Sequence, residues 1–167
     1  GNTTFYALPT AEQVERWRDA TPETFRFCLK FPQVISHRKR LVDCTAETAE
    51  FVDRLRVLGE RCGPAFLQLP PTFSLAQLKR LEVYLAELPS DLRFAVEPRH
   101  ADFFDGGRGE QAFDDVLKRH GMARVAFDTA ALFAVPAGQS ADVAAAQERK
   151  PRFPARATRT ADFAFVR

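Results

Sequence analysis

Cysteine is scarce: Cys28, Cys44 and Cys62 are three of 167 residues, and no two of them stand at CxxC spacing. An odd and scattered set supports neither a disulfide framework nor a zinc ribbon, and fits a reducing cytoplasm. Long apolar runs are missing as well. No stretch nears the roughly 20 residues a membrane-spanning helix needs, and no basic segment followed by an apolar one opens the chain. The expectation is a water-soluble, cytoplasmic protein, in which the glycosylation-type triplet Asn2-Thr3-Thr4 is accidental. An excess of one charge is also absent. With 24 Lys+Arg against 22 Asp+Glu the net charge is +2, which removes any global electrostatic argument for nucleic acid and leaves only local patches. There is no GxGxxG, no Walker A sequence, no HExxH and no internal repeat. Nucleotide cofactors therefore have no support, and Gly106-Gly107-Arg108-Gly109 reads as a flexible loop.

What is there has globular composition, 46% hydrophobic and 28% charged, enough for one sizeable core and too short for two ordinary enzyme domains. Thr10 with Gln13 makes a capping box ahead of a short helix that Thr21-Pro22 ends. Ser74 with Gln77 makes another, ahead of an apolar stripe at Leu75, Leu78, Leu81, Leu85 and Leu88. A helix from Thr45 with Val52, Leu55 and Leu58 on one face and a helix around Phe113, Val116 and Leu117 complete the set. Between them lie short apolar runs that read as strands: Phe25 to Lys30, Ala65 to Leu69, Phe94 to Val96, Arg124 to Phe127 and Phe163 to Val166. The Ala134 to Ala146 stretch reads as a long loop with one helical turn. Strand and helix alternate at the spacing of βα units, and the strands lack strict alternation, so a parallel sheet covered on both faces is the expected architecture.

The successive strand ends are Lys30, Gln68, Glu97, Asp128 and Arg167, and a sixth, cut short by the chain start, falls near Asn2. Ligands of parallel α/β sheets bind at the carboxyl ends of the strands, so this mixed set of cations, carboxylates and amides reads as a site. Glu97-Pro98-Arg99-His100 places a carboxylate, a guanidinium and an imidazole within four residues. Glu97, His100 and Asp128 are the candidate catalytic groups for proton transfer, with Asp128 as a second carboxylate or the group that orients His100. Asn2, Lys30, His37, Gln68, Arg99 and Arg167 are the candidate substrate-binding groups. His37 leads into Arg38-Lys39-Arg40, either a phosphate-contacting loop or a solvated basic turn. His37, Glu97, His100 and Asp128 are the alternative metal set, but they are scattered singly, and no metal or other cofactor is expected. Trp17 is expected in the core, His120 at a helix end, and Cys28 as a buried thiol.

The motifs Asn2-Thr3-Thr4-Phe5-Tyr6-Ala7-Leu8-Pro9, Phe25-Arg26-Phe27-Cys28-Leu29-Lys30-Phe31-Pro32, Ile35-Ser36-His37, Leu67-Gln68-Leu69-Pro70, Val96-Glu97-Pro98-Arg99-His100 and Lys150-Pro151 resemble, in order, those of the YecE-like proteins, a bacterial domain of unknown function. The resemblance covers nearly the whole chain. It implies a TIM-type (β/α)8 barrel, incomplete here and holding about strands 2 to 7, so that residues 1–167 form a single barrel domain lacking the first and last strands. It implies no activity. Pro98 stands where many relatives carry an apolar residue. The expected function is an enzyme or ligand-binding protein acting on a phosphate-bearing or otherwise anionic substrate at the barrel mouth. That partner is a small molecule or a nucleic acid and not a membrane; the alternative is a non-catalytic binding or sensing module.

Overall fold

The structure, a computed structural model, describes residues 3–167. Strands β1 (Ala65–Gln68), β2 (Phe94–Glu97), β3 (Ala123–Ala126) and β4 (Phe165–Val166) form a parallel sheet in the order β1-β2-β3-β4. Each strand pairs with its successor, and α4 (Leu78–Ala86) and α5 (Arg108–Arg119) supply the first two crossovers. Gln68 pairs with Glu97 in register, so the carboxyl ends of β1 and β2 are level.

Beside β1, the expected strand from Phe25 to Lys30 is reduced to two parallel bridges, Phe27 with Cys62 and Lys30 with Phe66. The pairing slips by one residue between them, at Gly63-Pro64, where proline has no N–H to give the ladder. Gly63 suits this place, because a Cβ would crowd Cys28 Sγ at 3.0 Å and Phe27 O at 3.2 Å.

The two-residue period of a strand sorts the side chains onto two faces. Leu29, Phe31, Ala65, Leu67, Leu69, Phe94 and Val96 face the helices and join one large core. Phe51 and Leu55 of α3 (Thr45–Val57), Leu81, Tyr84 and Leu85 of α4, and Phe113, Val116 and Leu117 of α5 complete it. Each Leu or Phe fully buried here contributes about 1.5–3 kcal/mol. The opposite face carries a smaller cluster, Phe66, Ala95, Ala123 and Val125, with Phe127, Phe163 and Phe165 against it. Lys30, Gln68 and Glu97 share parity with that inner row and extend it to the carboxyl edge.

Both capping boxes form, at α2 (Ala11–Asp19) and at the 3-10 turn Leu75–Gln77 that runs into α4. Three sequence expectations are corrected. Gly106 to Gly109 is not a flexible loop: Asp105 accepts backbone N–H groups from Gly107, Gly109 and Glu110 at 2.8–3.2 Å and starts α5. A Cβ on Gly109 would stand 2.3 Å from Asp102 O, so the glycine serves close approach. The Ala134 to Ala146 stretch holds the end of α6 (Ala130–Ala134), the turn Ala137–Gln139 and the start of α7 (Ala141–Arg149). Alanine costs little in a helix, Ser140 caps Val143 N at 3.1 Å, and Gln147 Nε2 donates to Leu132 O and Val135 O to tie the two helices. Cys28 is exposed rather than buried, because its parity turns it away from the helix-side core. Trp17 packs half-buried against that core rather than within it, and His120 is the C-cap of α5. Among the described residues, no helix is long and apolar enough to cross a membrane.

Candidate functional site

At the carboxyl edge the inner row of side chains turns polar and charged. Glu97, the last residue of β2, is fully buried, and each of its carboxylate oxygens is held by an arginine. Oε1 accepts from Arg99 and Oε2 from Arg167 Nη1 at 2.7 Å. Gln68, its register partner on β1, uses Oε1 as a second acceptor, taking Arg99 Nη2 at 3.3 Å and Lys30 Nζ at 3.1 Å. Lys30 is 4% exposed and lies 3.6 Å from the centroid of the Phe5 ring. That ring is carried by α1 (Thr3–Tyr6), which Thr4 Oγ1 anchors by donating to Lys30 O at 2.7 Å. Phe127 is the aromatic floor of the cluster: Arg99 sits 4.1 Å, Arg167 5.5 Å and Lys150 5.7 Å from its centroid.

The balance of charge is the defining property. Four cations, Lys30, Arg99, Lys150 and Arg167, gather about one carboxylate whose two oxygens are already taken. Burial, followed by the charge of Arg167, lowers the Lys30 ammonium to about 8; Glu97 opposes this, and Arg99 and Lys150 add to it. Burial and then Arg99 and Arg167 lower Lys150 as well. Arg99 is pushed down by burial, which Glu97 opposes, and as a guanidinium it stays charged. His37 stands at the rim with its ring edge-on to Phe5 at 5.1 Å and Nδ1 2.8 Å from Ser36 Oγ. Burial first, then Lys30, Arg99 and Arg40, hold it below the usual histidine range, which favours the neutral ring at pH 7. The arrangement can desolvate and hold an anion, with a lysine able to lose its proton near neutral pH.

Lys30, Gln68, Glu97, Arg99 and Arg167 are thus brought together, and His37 approaches them. The proposed proton-transfer trio is not assembled. His100 accepts from Asp102 N at 3.2 Å through Nδ1 and caps the 3-10 turn Ala101–Phe104, with Asp102, not Asp128, as its carboxylate neighbour. Asp128 is exposed; its Oδ1 accepts from Ala130 N at 2.8 Å, and it lines a separate cavity of about 410 Å³ with Phe133 and Arg152. The residue after an inward position points elsewhere, which is why these two polar groups near strand ends diverge from Glu97. Asn2 lies outside the described residues. His37, Glu97, His100 and Asp128, the alternative metal set, each find a different partner, and among the described residues no three His, Cys, Asp or Glu side chains are grouped to hold a metal. In the basic turn, Lys39 binds Glu47 Oε1 and Asp43 O, both at 2.6 Å, and Arg40 binds Thr72 Oγ1 at 2.7 Å and Thr72 O at 3.1 Å. Two of its three cations therefore already have protein partners.

Sequence reasoning missed Lys150 and Phe127. Phe127 is the next inward position after Val125, so parity marks it. Lys150 follows α7 and is placed by Thr129 Oγ1 donating to Pro151 O at 3.0 Å; the pair Lys150-Pro151 was its only local signal.

The fold and site define an α/β protein built on a parallel sheet whose carboxyl edge carries a cation-rich cluster. The chain belongs to the family described as "Protein of unknown function DUF72", whose model matches residues 1–167. It is 41% identical over all 167 residues to UPF0759 protein YecE of Escherichia coli K12, and 40% identical to that of Escherichia coli O157:H7, spanning 61% of the length of each. Two crystal structures of a DUF72 family protein from Enterococcus faecalis V583 share the fold, with TM-scores of 0.61 and 0.60 at 23% and 24% identity. They match 76% of this chain and 48% and 53% of theirs.

Proposed function

We propose that this chain is part of a TIM-type (β/α)8 barrel whose mouth binds a small anionic ligand, phosphate-bearing or carboxylate-bearing, through Lys30, Arg99, Lys150 and Arg167. The sheet supports the barrel reading because its strands are all parallel and follow one another in sequence order with helices packed on one face. The observation that carries the ligand reading is the surplus of cations over the single, already occupied carboxylate of Glu97. A buried cluster with such a surplus repels itself in the absence of a ligand, and a bound anion relieves that repulsion. Small anions are favoured over a nucleic-acid backbone because the free positive charge lies inside the mouth, whereas Lys39 and Arg40 on the outer turn are partnered. Neutralising Arg38, Lys39 and Arg40 should leave the salt dependence of any oligonucleotide binding unchanged.

Ligand binding rather than proton transfer by Glu97, His100 and Asp128 is the better-supported role. Both Glu97 oxygens hold arginines and His100 serves as a cap. Calorimetric titration with inorganic phosphate and pyrophosphate tests the reading. Lys150→Ala, which removes a cation without breaking an ion pair among the described residues, should weaken binding roughly ten-fold without lowering the melting temperature. Equal affinity in the variant, or no binding to the parent chain, would sink it.

A further inference from the structure

We propose that Lys30 is a carbonyl-reactive amine, and that the anion held at the mouth is a small aldehyde or ketone bearing a phosphate or carboxylate. This deepens the anion-binding reading and rests on it. Lys30 is buried, and among the described residues its Nζ contacts no carboxylate: its polar partner is the Gln68 amide oxygen at 3.1 Å, and the Phe5 ring covers it at 3.6 Å. A lysine meant to brace the fold pairs with an acid. The acid nearest at hand, Glu97, is instead taken by two arginines, which cannot give up their protons. The site therefore keeps its permanent charges on Arg99 and Arg167, and of its two lysines Lys30 is the more deeply buried, the division of labour that an imine-forming site requires. Arg167, Arg99 and Lys150 face Lys30 as like charges and Glu97 as the lone opposite one. With Lys30 lowered to about 8, the free amine makes up about a tenth of the population at pH 7, several hundred-fold more than for an unperturbed lysine.

The step balances without an external oxidant or reductant. The neutral Nζ attacks the carbonyl carbon, forming the C–N bond. The two amine protons leave with the carbonyl oxygen as water, and the imine takes a proton from solvent to become the iminium. Arg99 and Arg167 hold the anionic group of the bound compound, and Gln68 Oε1 accepts from the attacking nitrogen.

Glycolaldehyde phosphate and its uncharged parent glycolaldehyde, each with borohydride at pH 7.5, probe the full chain, with peptide mapping by mass spectrometry to locate the reduced adduct. The phosphate compound should modify Lys30 roughly ten-fold or more faster than Lys39, Lys79 or Lys118, and inorganic phosphate should protect it. Glycolaldehyde should also favour Lys30, through its larger share of free amine, but should modify it roughly ten-fold more slowly than the phosphate compound. Modification spread evenly over the lysines, or none at Lys30, overturns the reactive-amine assignment. If phosphate still binds by calorimetry in that case, the anion-binding reading survives it. Equal rates at Lys30 for the two aldehydes overturn the anionic substrate class. Lys30→Met, with its fold checked by circular dichroism, should abolish the fast adduct; an adduct that persists at the same rate overturns the assignment from the other side.

Discussion

Two buried arginine networks stand on opposite faces of the same sheet, and they are built to different rules. On the helix side, Arg124 of β3 donates to Asp114 Oδ1 and to Phe103 O, both at 2.6 Å, and lies 3.9 Å from Glu110. Glu110 in turn meets Arg156 at 2.8 Å and accepts from Gly106 N at 2.9 Å. Two arginines face two carboxylates there, and the charges cancel. At the carboxyl edge, four cations face one carboxylate. The first network ties β3 to α5 and the loop before it. The second leaves positive charge unanswered at the carboxyl edge of the sheet. Burial of charge is thus no mark of function by itself; what separates the two networks is the balance of charge.

Removing one partner from the balanced network should have the largest effect. Asp114→Ala leaves the guanidinium of Arg124 buried without its nearest carboxylate, and should cost about 3–5 kcal/mol in denaturant unfolding with phosphate affinity unchanged. A loss of phosphate binding by the folded variant would mean that the two networks are coupled and the contrast false. Next comes Glu97→Gln, which keeps an acceptor oxygen but removes the negative charge between Arg99 and Arg167. It should destabilise the phosphate-free chain by about 2–4 kcal/mol. Added phosphate should raise the melting temperature of this variant more than that of the parent; an equal rise would show that no anion stands in for the carboxylate.

The sign reverses at Lys30. Its folded-state value lies below its unfolded one, so between about 8 and 10.5 the unfolded chain binds more protons, and this group makes stability rise with pH through that window. Lys30→Met should therefore be more stable than the parent at pH 7, by about 1–3 kcal/mol. The difference should shrink to nothing near pH 10.5, as denaturation at a series of pH values would read. A constant difference across that range would place the gain elsewhere. The smallest effect belongs to the outer turn: Lys39→Ala with Arg40→Ala loses partly exposed contacts, costs about 1 kcal/mol or less, and changes phosphate affinity by less than about two-fold. A ten-fold loss would extend the site out to the rim.

Local patterns carried much of the architecture. The capping boxes at Thr10/Gln13 and Ser74/Gln77 formed as spaced, because a cap needs only residues three apart. Apolar runs ending in Gln68 and Glu97 became adjacent parallel strands with level ends, and Lys30 fell in beside them. The same patterns misjudged Gly106 to Gly109, whose glycines allow a close approach to Asp102 that only the folded chain displays.

What the sequence determined by itself was which residues lie on which element and on which parity of a strand, since both follow from spacings of two, three and four residues. Tertiary structure alone decided which charges meet. Arg167 reaches Glu97 across seventy positions, Lys150 arrives from the end of α7, and His100, three residues from Glu97, turns instead to Asp102. Desolvation is likewise a property of everything packed around a group, so nothing local to Lys30 could have set its proton affinity.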